Sequence, residues 1–249
     1  MMSILLVDLG NTRLKWATCD GTLPRHSEVR DHREQELAAV LDASWNAMPP
    51  PGQVLVASVA DSERKAALSG WMQRRWSLSP EFLVSPSSGQ GLTNAYAQPE
   101  RLGCDRWAAM VAAFHLAGSA VCVVDCGSAV TLDAVAADGQ HLGGLILPGL
   151  TAMQSALTRH TALSPIALAK PANILLGRST QEGISLGITR AVVALIQQTL
   201  ADLQQQSGIQ ASCYLTGGDA GRIEPLLSIP CQQEPDLVLQ GLAVIAGAT

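Results

Sequence analysis

A five-residue motif occurs twice in this chain and constrains its fold more than any other feature. Val7-Asp8-Leu9-Gly10-Asn11 near the start is echoed by Val124-Asp125-Cys126-Gly127-Ser128 near the middle. Each copy closes a short apolar run and leads into a β-rich stretch of similar length, which predicts a strand, a tight polar turn and a return strand. Because the whole unit recurs, we interpret the chain as an internal duplication, with domains at 1–117 and 118–249.

Hydrophobic periodicity predicts that strands and helices alternate over the rest of the chain, which is typical of an α/β protein. A segment rich in Ser, Gly and Pro at 85–91 is predicted to be a mobile loop. The predicted strands are 4–7, 14–19, 54–59, 81–84, 120–124, 145–147 and 213–215, and the predicted helices are 31–45, 61–76, 107–116, 150–159, 181–206 and 237–248.

Composition limits the classes of protein to which the chain can belong. With 47% apolar residues among 249, it can fill a sizeable core, so we predict folded domains rather than disorder. No apolar run reaches the roughly eighteen residues of a membrane span and no signal-like segment opens the sequence, which predicts a cytoplasmic protein with no membrane partner. A net charge of −5 offers no overall attraction to nucleic acid, so no nucleic-acid partner is expected. The six scattered cysteines lack a C-x-x-C pair and are expected to be reduced packing residues.

Both copies of the motif place a carboxylate at the end of a strand, beside a glycine turn. This arrangement suits a metal-bound nucleotide, because the carboxylate can hold Mg²⁺ while backbone N–H groups face the phosphates. Either copy alone is more simply interpreted as a hairpin turn with a capping Asp. The sequence contains neither a Walker A string nor a strand followed by G-x-G-x-x-G, so P-loop and Rossmann sites are excluded. Two facing turns would contact ATP phosphates through Asp8, Gly10, Asn11, Thr12 and Lys15 on one side and Asp125, Gly127 and Ser128 on the other.

Asp105 and Arg106 precede a predicted helix and form a second candidate for chemistry. The helix dipole favours an ionised carboxylate in the first turn, and such a carboxylate can accept the proton of a substrate hydroxyl during phosphoryl transfer. The neighbouring arginine can bind an anionic group of the same substrate. On local sequence alone, a helix cap with a surface ion pair is the simpler explanation.

Two further features of the sequence do not by themselves indicate a function. Thr216-Gly217-Gly218-Asp219 suits close approach of the backbone to an adenosine moiety, and equally suits a plain strand-to-helix turn. The five histidines share no spacing that would indicate a metal site, so we interpret them as surface or packing residues.

Taken together, in order and spacing, four motifs closely resemble those of the type III pantothenate kinases. The resemblance extends from residue 4 to about 245, and the series is far more specific than any of its members. It is carried by Asp8-Leu9-Gly10-Asn11-Thr12-x-x-Lys15, Gly103-Cys104-Asp105-Arg106, Asp125-Cys126-Gly127-Ser128-Ala129-x-Thr131-x-Asp133 and Gly143-Gly144-x-Ile146-x-Pro148-Gly149, together with Asn94-Ala95-Tyr96, Pro99 and Gly177-Arg178-Ser179-Thr180.

The resemblance implies an α/β fold of two duplicated ribonuclease-H-like domains, as in the acetate kinase, sugar kinase, Hsp70 and actin superfamily, with ATP in the cleft between them. It implies ATP-dependent phosphorylation of pantothenate to 4'-phosphopantothenate, the first step of coenzyme A biosynthesis, by a homodimer. It further implies Mg²⁺ at Asp8 and a monovalent cation, K⁺ or NH₄⁺, at Asp125.

The same resemblance implies a role for each matching residue, with Asp105 as the catalytic proton acceptor. ATP would be bound by Asp8, Leu9, Gly10, Asn11, Thr12, Arg13, Leu14, Lys15 and Ser128. Pantothenate would be bound by Tyr96, Gly103, Cys104, Asp105, Arg106 and Thr180, the last of these across the dimer interface.

Some positions depart from the family's usual pattern: Ser128 replaces threonine but keeps the hydroxyl, Ala95 stands where glycine is frequent, and 177–180 differs from the usual Asn-Thr. Since substrate loops decide specificity in this superfamily, a kinase for another small hydroxyl compound is one alternative. A non-catalytic regulatory module is a second, because the family has been named after a factor for gene expression, although retention of Asp8, Asp105 and Asp125 argues against it. An Hsp70-like ATPase is not supported, because the chain has no room for a peptide-binding domain.

Overall fold

The computed structural model describes residues 3–24, 27–33, 35–159 and 175–248. The chain separates into two compact units, Met1–Leu116 with Asp236–Thr249, and Ala117–Pro235. The first change of unit falls beside the predicted boundary between residues 117 and 118. The C-terminal segment, which the prediction assigned to the second domain, lies in the first unit, because its helix packs against strands of the first sheet.

In chain order the strands are β1 (Ile4–Leu9), β2 (Arg13–Cys19), β3 (Glu28–Asp31), β4 (Gln53–Ser58), β5 (Glu81–Phe82), β6 (Ser88–Gly89), β7 (Leu92–Thr93), β8 (Val121–Cys126), β9 (Ala129–Val135), β10 (His141–Pro148), β11 (Ser212–Thr216) and β12 (Cys231–Gln233). The α-helices are α1 (Leu37–Trp45), α2 (Ser62–Trp76), α3 (Cys104–Ala117), α4 (Leu150–Arg159), α5 (Thr180–Ser207), α6 (Ala220–Ile223) and α7 (Leu237–Ile245).

The first unit is built on a five-stranded mixed sheet in the order β3-β2-β1-β4-β5. Strands β1, β2 and β3 are antiparallel neighbours, whereas β4 pairs in parallel with both β1 and β5. Apolar side chains of β1, β2 and β4 form one core with those of α1 and α2. Four tryptophans meet in this core with ring centroids 5.0 to 5.7 Å apart, namely Trp16, Trp45, Trp71 and Trp76.

The second unit repeats this sheet in the order β10-β9-β8-β11-β12. Strands β8, β9 and β10 are antiparallel neighbours, and β11 pairs in parallel with both β8 and β12. The two sheets therefore share strand order and strand directions, which confirms the predicted duplicated α/β architecture. The turns that follow β1 and β8 occupy equivalent positions in the two sheets.

The helix predicted at 31–45 begins later than its sequence pattern indicated. Glu28–Asp31 forms strand β3, and α1 starts only at Leu37. All four residues of β3 are exposed, so the strand lacks the alternation of apolar and polar residues on which a strand prediction depends. The segment predicted as a mobile loop at 85–91 contributes instead to a small hairpin of β6 and β7, closed by Gln90 and Gly91 at positive φ.

Helix α5 is the one helix, among the described residues, that is long and apolar enough to cross a membrane by length and composition. This is weak evidence for a span, because core helices of water-soluble proteins meet the same criteria. Ile188, Val192 and Ile196 of this helix are buried in the core of the second unit.

Candidate active site

The turn between β1 and β2 is the first candidate site. The N–H of Gly10 donates to the carbonyl oxygen of Arg13 at 3.0 Å, so the chain reverses tightly at the end of the two strands. In their register Asp8 lies opposite Lys15, and Asn11 at the tip of the turn is exposed. A carboxylate and an ammonium group thus share the end of the sheet beside an exposed turn.

The end of β4 connects this turn to α3. The Ser58 hydroxyl donates to the carbonyl oxygen of Leu9 at 3.0 Å, and the Ser58 N–H donates to the sulfur of Cys104 at 3.1 Å. Both Ser58 and Cys104 are buried. Because parallel strands β1 and β4 end side by side, Ser58 at the end of β4 contacts both the last residue of β1 and the first residue of α3.

Asp105 lies in the first turn of α3, as predicted, and its Oδ1 accepts the N–H of Arg106 at 2.8 Å. A Cβ at Gly103 would lie 2.6 Å from that same oxygen, so a larger residue there would displace the carboxylate. Burial, followed by the negative charges of Asp105 and Asp8, raises the pKa of the Cys104 thiol to about 11.

Arg106 is buried, with only 8% of its surface exposed, although it carries a charge. Its Nη1 donates to the Tyr96 hydroxyl oxygen at 3.1 Å, and its guanidinium carbon lies 5.8 Å from the centroid of the Tyr96 ring. Asn94 fixes the tyrosine loop, because its side-chain oxygen accepts the Tyr96 N–H at 3.0 Å. A guanidinium held against an aromatic ring in this way is suited to bind a substrate carboxylate.

Lys15 forms an ion pair with Asp236, with Nζ 2.9 Å from Oδ1 and side chains only 20% and 13% exposed. The Ser27 hydroxyl donates to the same carboxylate oxygen. Asp236 immediately precedes α7, so the C-terminal segment of the first unit fixes a residue of the first hairpin.

Glycines surround the carboxylate of Asp125 at the end of β8. A Cβ at Gly217 would lie 2.4 Å from Oδ1 of Asp125, and a Cβ at Gly127 would lie 3.1 Å from it. A Cβ at Gly149 would lie 2.5 Å from the carbonyl oxygens of Gly127 and Ser128. Space beside this carboxylate oxygen therefore excludes a side chain at Gly217 and crowds one at Gly127, and the backbone oxygens of Gly127 and Ser128 line the same turn.

The structure brings the predicted site residues together in two groups, one in each unit. In the first unit, the hairpin of Asp8 to Lys15 shares one end of the sheet with the 103–106 segment, and Tyr96 contacts Arg106. In the second unit, Asp125 and Ser128 belong to the turn between β8 and β9. Thr180 is the exposed first residue of α5, with Ser179 capping the helix.

Sequence reasoning missed three residues that contact this site, namely His32, Ser58 and Asp236. His32 donates from Nε2 to the carbonyl oxygen of Gly10 at 3.0 Å and from its N–H to that of Thr12 at 3.0 Å. Ser58 had a partial signal, since it lies near the end of the predicted strand 54–59. His32 and Asp236 had none, because their partners are distant in the sequence.

Comparison with known proteins decides what this arrangement serves. The sequence model of the type III pantothenate kinases matches residues 4–202. The type III pantothenate kinase of Nitrosococcus oceani is 41% identical over 251 residues, with 99% of this chain and 94% of that protein covered. The chain belongs to the type III pantothenate kinase family. The corresponding enzyme of Alcanivorax borkumensis is 35% identical, with 98% of each chain covered.

As a type III pantothenate kinase, the protein uses ATP to phosphorylate pantothenate in coenzyme A biosynthesis, which confirms the predicted activity. The two alternatives, a kinase for another hydroxyl substrate and a non-catalytic module, are therefore not needed to explain the sequence motifs. The family assignment does not test the role of any single residue, so those roles stay predictions.

Solved structures of low sequence identity share the fold of this type III pantothenate kinase. A Campylobacter jejuni protein described as a Baf family transcriptional activator has a TM-score of 0.62 at 21% identity, covering 97% of this chain and 96% of that one. The activator of 2-hydroxyisocaproyl-CoA dehydratase from Clostridium difficile, with bound ADPNP, has a TM-score of 0.57 at 14% identity, covering 99% and 94%. An archaeal actin homologue has a TM-score of 0.52 at 10% identity and full coverage of both chains. These likenesses confirm the predicted actin-like ATPase fold.

Proposed function

We propose that Asp105 is the general base of this kinase and that the hairpin of Asp8 to Lys15 binds the phosphates of ATP. The observation that carries the proposal is the contact of Ser58 with both Leu9 and Cys104, which holds the first turn of α3 against the first phosphate turn. Asp105 then orients the terminal hydroxyl of pantothenate for in-line attack and accepts its proton late in phosphoryl transfer.

On the ATP side, Lys15 offsets phosphate charge, and the turn presents the backbone N–H of its exposed tip, Asn11, because the Gly10 N–H is already bonded to Arg13. Within the described residues, no cluster of three His, Cys, Asp or Glu side chains could hold a metal ion. A single carboxylate at Asp8 still fits Mg²⁺, which takes most of its ligands from phosphates and water. Bound Mg²⁺ would supply neutralisation of the charge that develops on the transferred phosphoryl group.

The second turn fits a monovalent cation. The carboxylate oxygen of Asp125 lies where side chains at Gly127 and Gly217 would intrude, so the space beside it is lined by backbone. An anionic oxygen among backbone groups suits K⁺ or NH₄⁺, and we assign the ion to Asp125. The Ser128 hydroxyl, in the same turn, supplies an ATP contact.

On the pantothenate side, the buried guanidinium of Arg106 binds the substrate carboxylate, and Tyr96 orients that guanidinium. Gly103 and Cys104 contribute the backbone that leads into α3, where Asp105 lies. Asp105 and Arg106 are consecutive residues. One short segment therefore supplies both the base for the hydroxyl group of pantothenate and the cation that binds its carboxylate.

We further propose that the enzyme acts as a homodimer. Four large apolar side chains of the second unit are exposed on β10 and α4, and β10 is the edge strand of its sheet. Exposed apolar groups on an edge strand favour association, and a second copy is the occupant that the family resemblance implies. Thr180 would then contribute to the pantothenate site of the partner. The four residues are Leu142, Leu145, Ile146 and Leu157.

The dimer proposal is tested by light scattering of the Ile146→Asp variant. A charge on the most exposed of the four side chains, 62% exposed, should halve the measured mass. A wild-type monomer would rule the dimer out, and an unchanged dimeric mass in the variant would place the interface elsewhere.

We assign the enzyme to the cytoplasm. All six cysteines are free thiols, and five of them are buried, as expected for a protein that stays in a reducing compartment. Its co-substrate ATP is also available there. Fractionation of the native host, with the kinase detected in the membrane or secreted fraction, would contradict this assignment.

The central experiment measures ADP release from Mg²⁺-ATP with and without pantothenate, in K⁺ buffer and in Na⁺ buffer. Asp105→Asn keeps the shape of the side chain but removes the base, so kcat should fall by about 10²-fold or more while ATP binding is preserved. Asp138→Asn is the matched control, because Asp138 is exposed in the turn between β9 and β10.

Each part of the proposal has its own contradicting outcome. Near-normal kcat in Asp105→Asn would show that Asp105 is not the general base. Equal turnover in K⁺ and Na⁺ buffers would contradict the assignment of a specific monovalent cation to Asp125. Loss of activity in Asp138→Asn would show that substitution itself, rather than the lost base, lowers turnover.

A further inference from the structure

His32 is buried beneath the first phosphate turn, with 2% of its surface exposed, although it directly follows the fully exposed strand β3. It makes two hydrogen bonds to the turn. Its Nε2 lies 3.0 Å from the carbonyl oxygen of Gly10. Its backbone nitrogen lies 3.0 Å from the carbonyl oxygen of Thr12. Since a carbonyl oxygen only accepts, Nε2 carries the proton in the first of these contacts.

The two contacts determine where the turn's N–H groups point. In a trans peptide the carbonyl and the following N–H point in opposite directions. Because the Gly10 carbonyl points at the imidazole of His32, the N–H of Asn11 is directed away from it. The Thr12 carbonyl likewise directs the N–H of Arg13 away from His32.

We infer that His32 is a positioning residue for ATP, fixing the turn so that its N–H groups face the phosphates. This inference depends on the proposed phosphate-binding role of the Asp8–Lys15 hairpin. His32 does not touch ATP in this account; it acts through the peptide groups of residues 10–12. Its loss should therefore weaken ATP binding much more than pantothenate binding.

The test compares steady-state kinetics of three variants at position 32. His32→Leu removes the donor and should raise KM for ATP about tenfold, the change expected when a buried carbonyl loses its partner, with KM for pantothenate within twofold of wild type. His32→Gln places an amide N–H near the position of Nε2 and should restore KM for ATP to within threefold. His32→Asn is too short to reach the Gly10 carbonyl and should behave like His32→Leu.

Two further variants separate this inference from the proposal on which it depends. His115→Leu, at an exposed histidine of α3, should leave both KM values unchanged. Lys15→Ala removes a proposed phosphate contact directly. It should raise KM for ATP whether or not His32 positions the turn. Thermal unfolding of every variant reports whether the fold is intact.

The possible outcomes are distinct. A raised KM for ATP in the Leu and Asn variants, with rescue by Gln, supports the positioning role. An unchanged KM for ATP in His32→Leu, with a raised value in Lys15→Ala, overturns the role of His32 and leaves the phosphate turn in place. Unchanged values in both variants overturn the turn assignment as well. If His32→Leu does not fold, equal KM values for ATP in the Gln and Asn variants overturn the inference.

Discussion

Substitution of Gly103 by alanine tests the geometry of the active site most directly. The added Cβ would lie 2.6 Å from Oδ1 of Asp105, about 0.9 Å closer than the roughly 3.5 Å at which nonbonded heavy atoms pack. Its other neighbours, Cδ of Arg106 and Cγ1 of Val59, lie at 3.6 Å and need not move. The strain therefore falls on the carboxylate of Asp105.

The expected effect is large on turnover and small on stability. A displacement approaching 1 Å in a reacting group can lower the rate by about 10²-fold, so we expect kcat to fall by about 10- to 100-fold. Gly103 precedes α3, where alanine is a poorer cap than glycine by about 1 kcal/mol, which lowers Tm by about 2–4 °C in a chain of this size. KM for ATP should stay within about threefold, because the first hairpin is not touched.

The assay couples ADP release to pantothenate-dependent turnover, with calorimetry for Tm. Gly70→Ala is the matched control, because Gly70 lies inside α2 and its added Cβ meets only the end of the Arg74 side chain, at 3.2 Å. This control should keep full activity and gain up to about 1 kcal/mol of helix stability. If Gly103→Ala retained kcat within twofold of wild type, the position of the Asp105 carboxylate would not limit the reaction, and the general-base argument would fail.

Three further predictions concern the scaffold. Gly241→Ala would place a Cβ 1.8 Å from the carbonyl oxygen of Ala108, so α3 and α7 must separate; we expect a loss of about 3 kcal/mol and a Tm lower by about 6–12 °C in calorimetry. A double-mutant cycle with Lys15→Met and Asp236→Asn should give a coupling free energy of about 1 kcal/mol in denaturant unfolding, because the pair is largely buried. Burial raises the pKa of the Cys122 thiol from 9.0 to about 12, so the folded state holds a proton that the unfolded state releases. That stabilisation is complete below pH 9 and is lost as the pH rises towards 12, so Tm measured over this window should fall less steeply in Cys122→Ala than in wild type.

Each of these predictions has a clear contrary result. A wild-type Tm in Gly241→Ala would show that α3 and α7 do not meet backbone to backbone. A coupling energy below about 0.3 kcal/mol would mean that Lys15 and Asp236 act independently. Parallel pH profiles for Cys122→Ala and wild type would show that the thiol does not contribute to alkaline destabilisation.

The fold was largely predictable because its strongest signals are local. The apolar runs before Asp8 and Asp125, and the turns after them, defined the duplicated hairpins on which both sheets are built. Strand β3 escaped prediction because none of its side chains is buried. The unit to which α7 belongs escaped for a different reason, since no sequence pattern tells which of two similar cores an apolar helix joins.

The candidate site shows the same limit. Asp8, Asp105 and Asp125 could be proposed from short motifs, because each motif contains the chemical group itself. The motifs of Asp105 and Asp125 also contain a glycine, Gly103 or Gly127, that leaves room for the carboxylate. The groups that hold these motifs in place are contributed by other elements. His32, for instance, follows an unpredicted strand, and its hydrogen bond to Gly10 exists only once β3 has paired with β2.

Divergence between the two duplicated turns accounts for their different proposed ligands. In the first sheet, the register places Asp8 opposite Lys15, so that turn offers an ammonium group for anionic phosphates. In the second, Asp125 lies opposite Thr131, which brings a hydroxyl and no positive charge. Across the strand pair Thr131 offers a neutral hydroxyl oxygen to a cation beside Asp125, whereas Lys15 brings a positive charge to the first turn. Replacing Thr131 by lysine should therefore abolish stimulation by K⁺, because the ammonium group would take the place of the ion beside Asp125. Continued K⁺ dependence in that variant would place the monovalent cation away from Asp125.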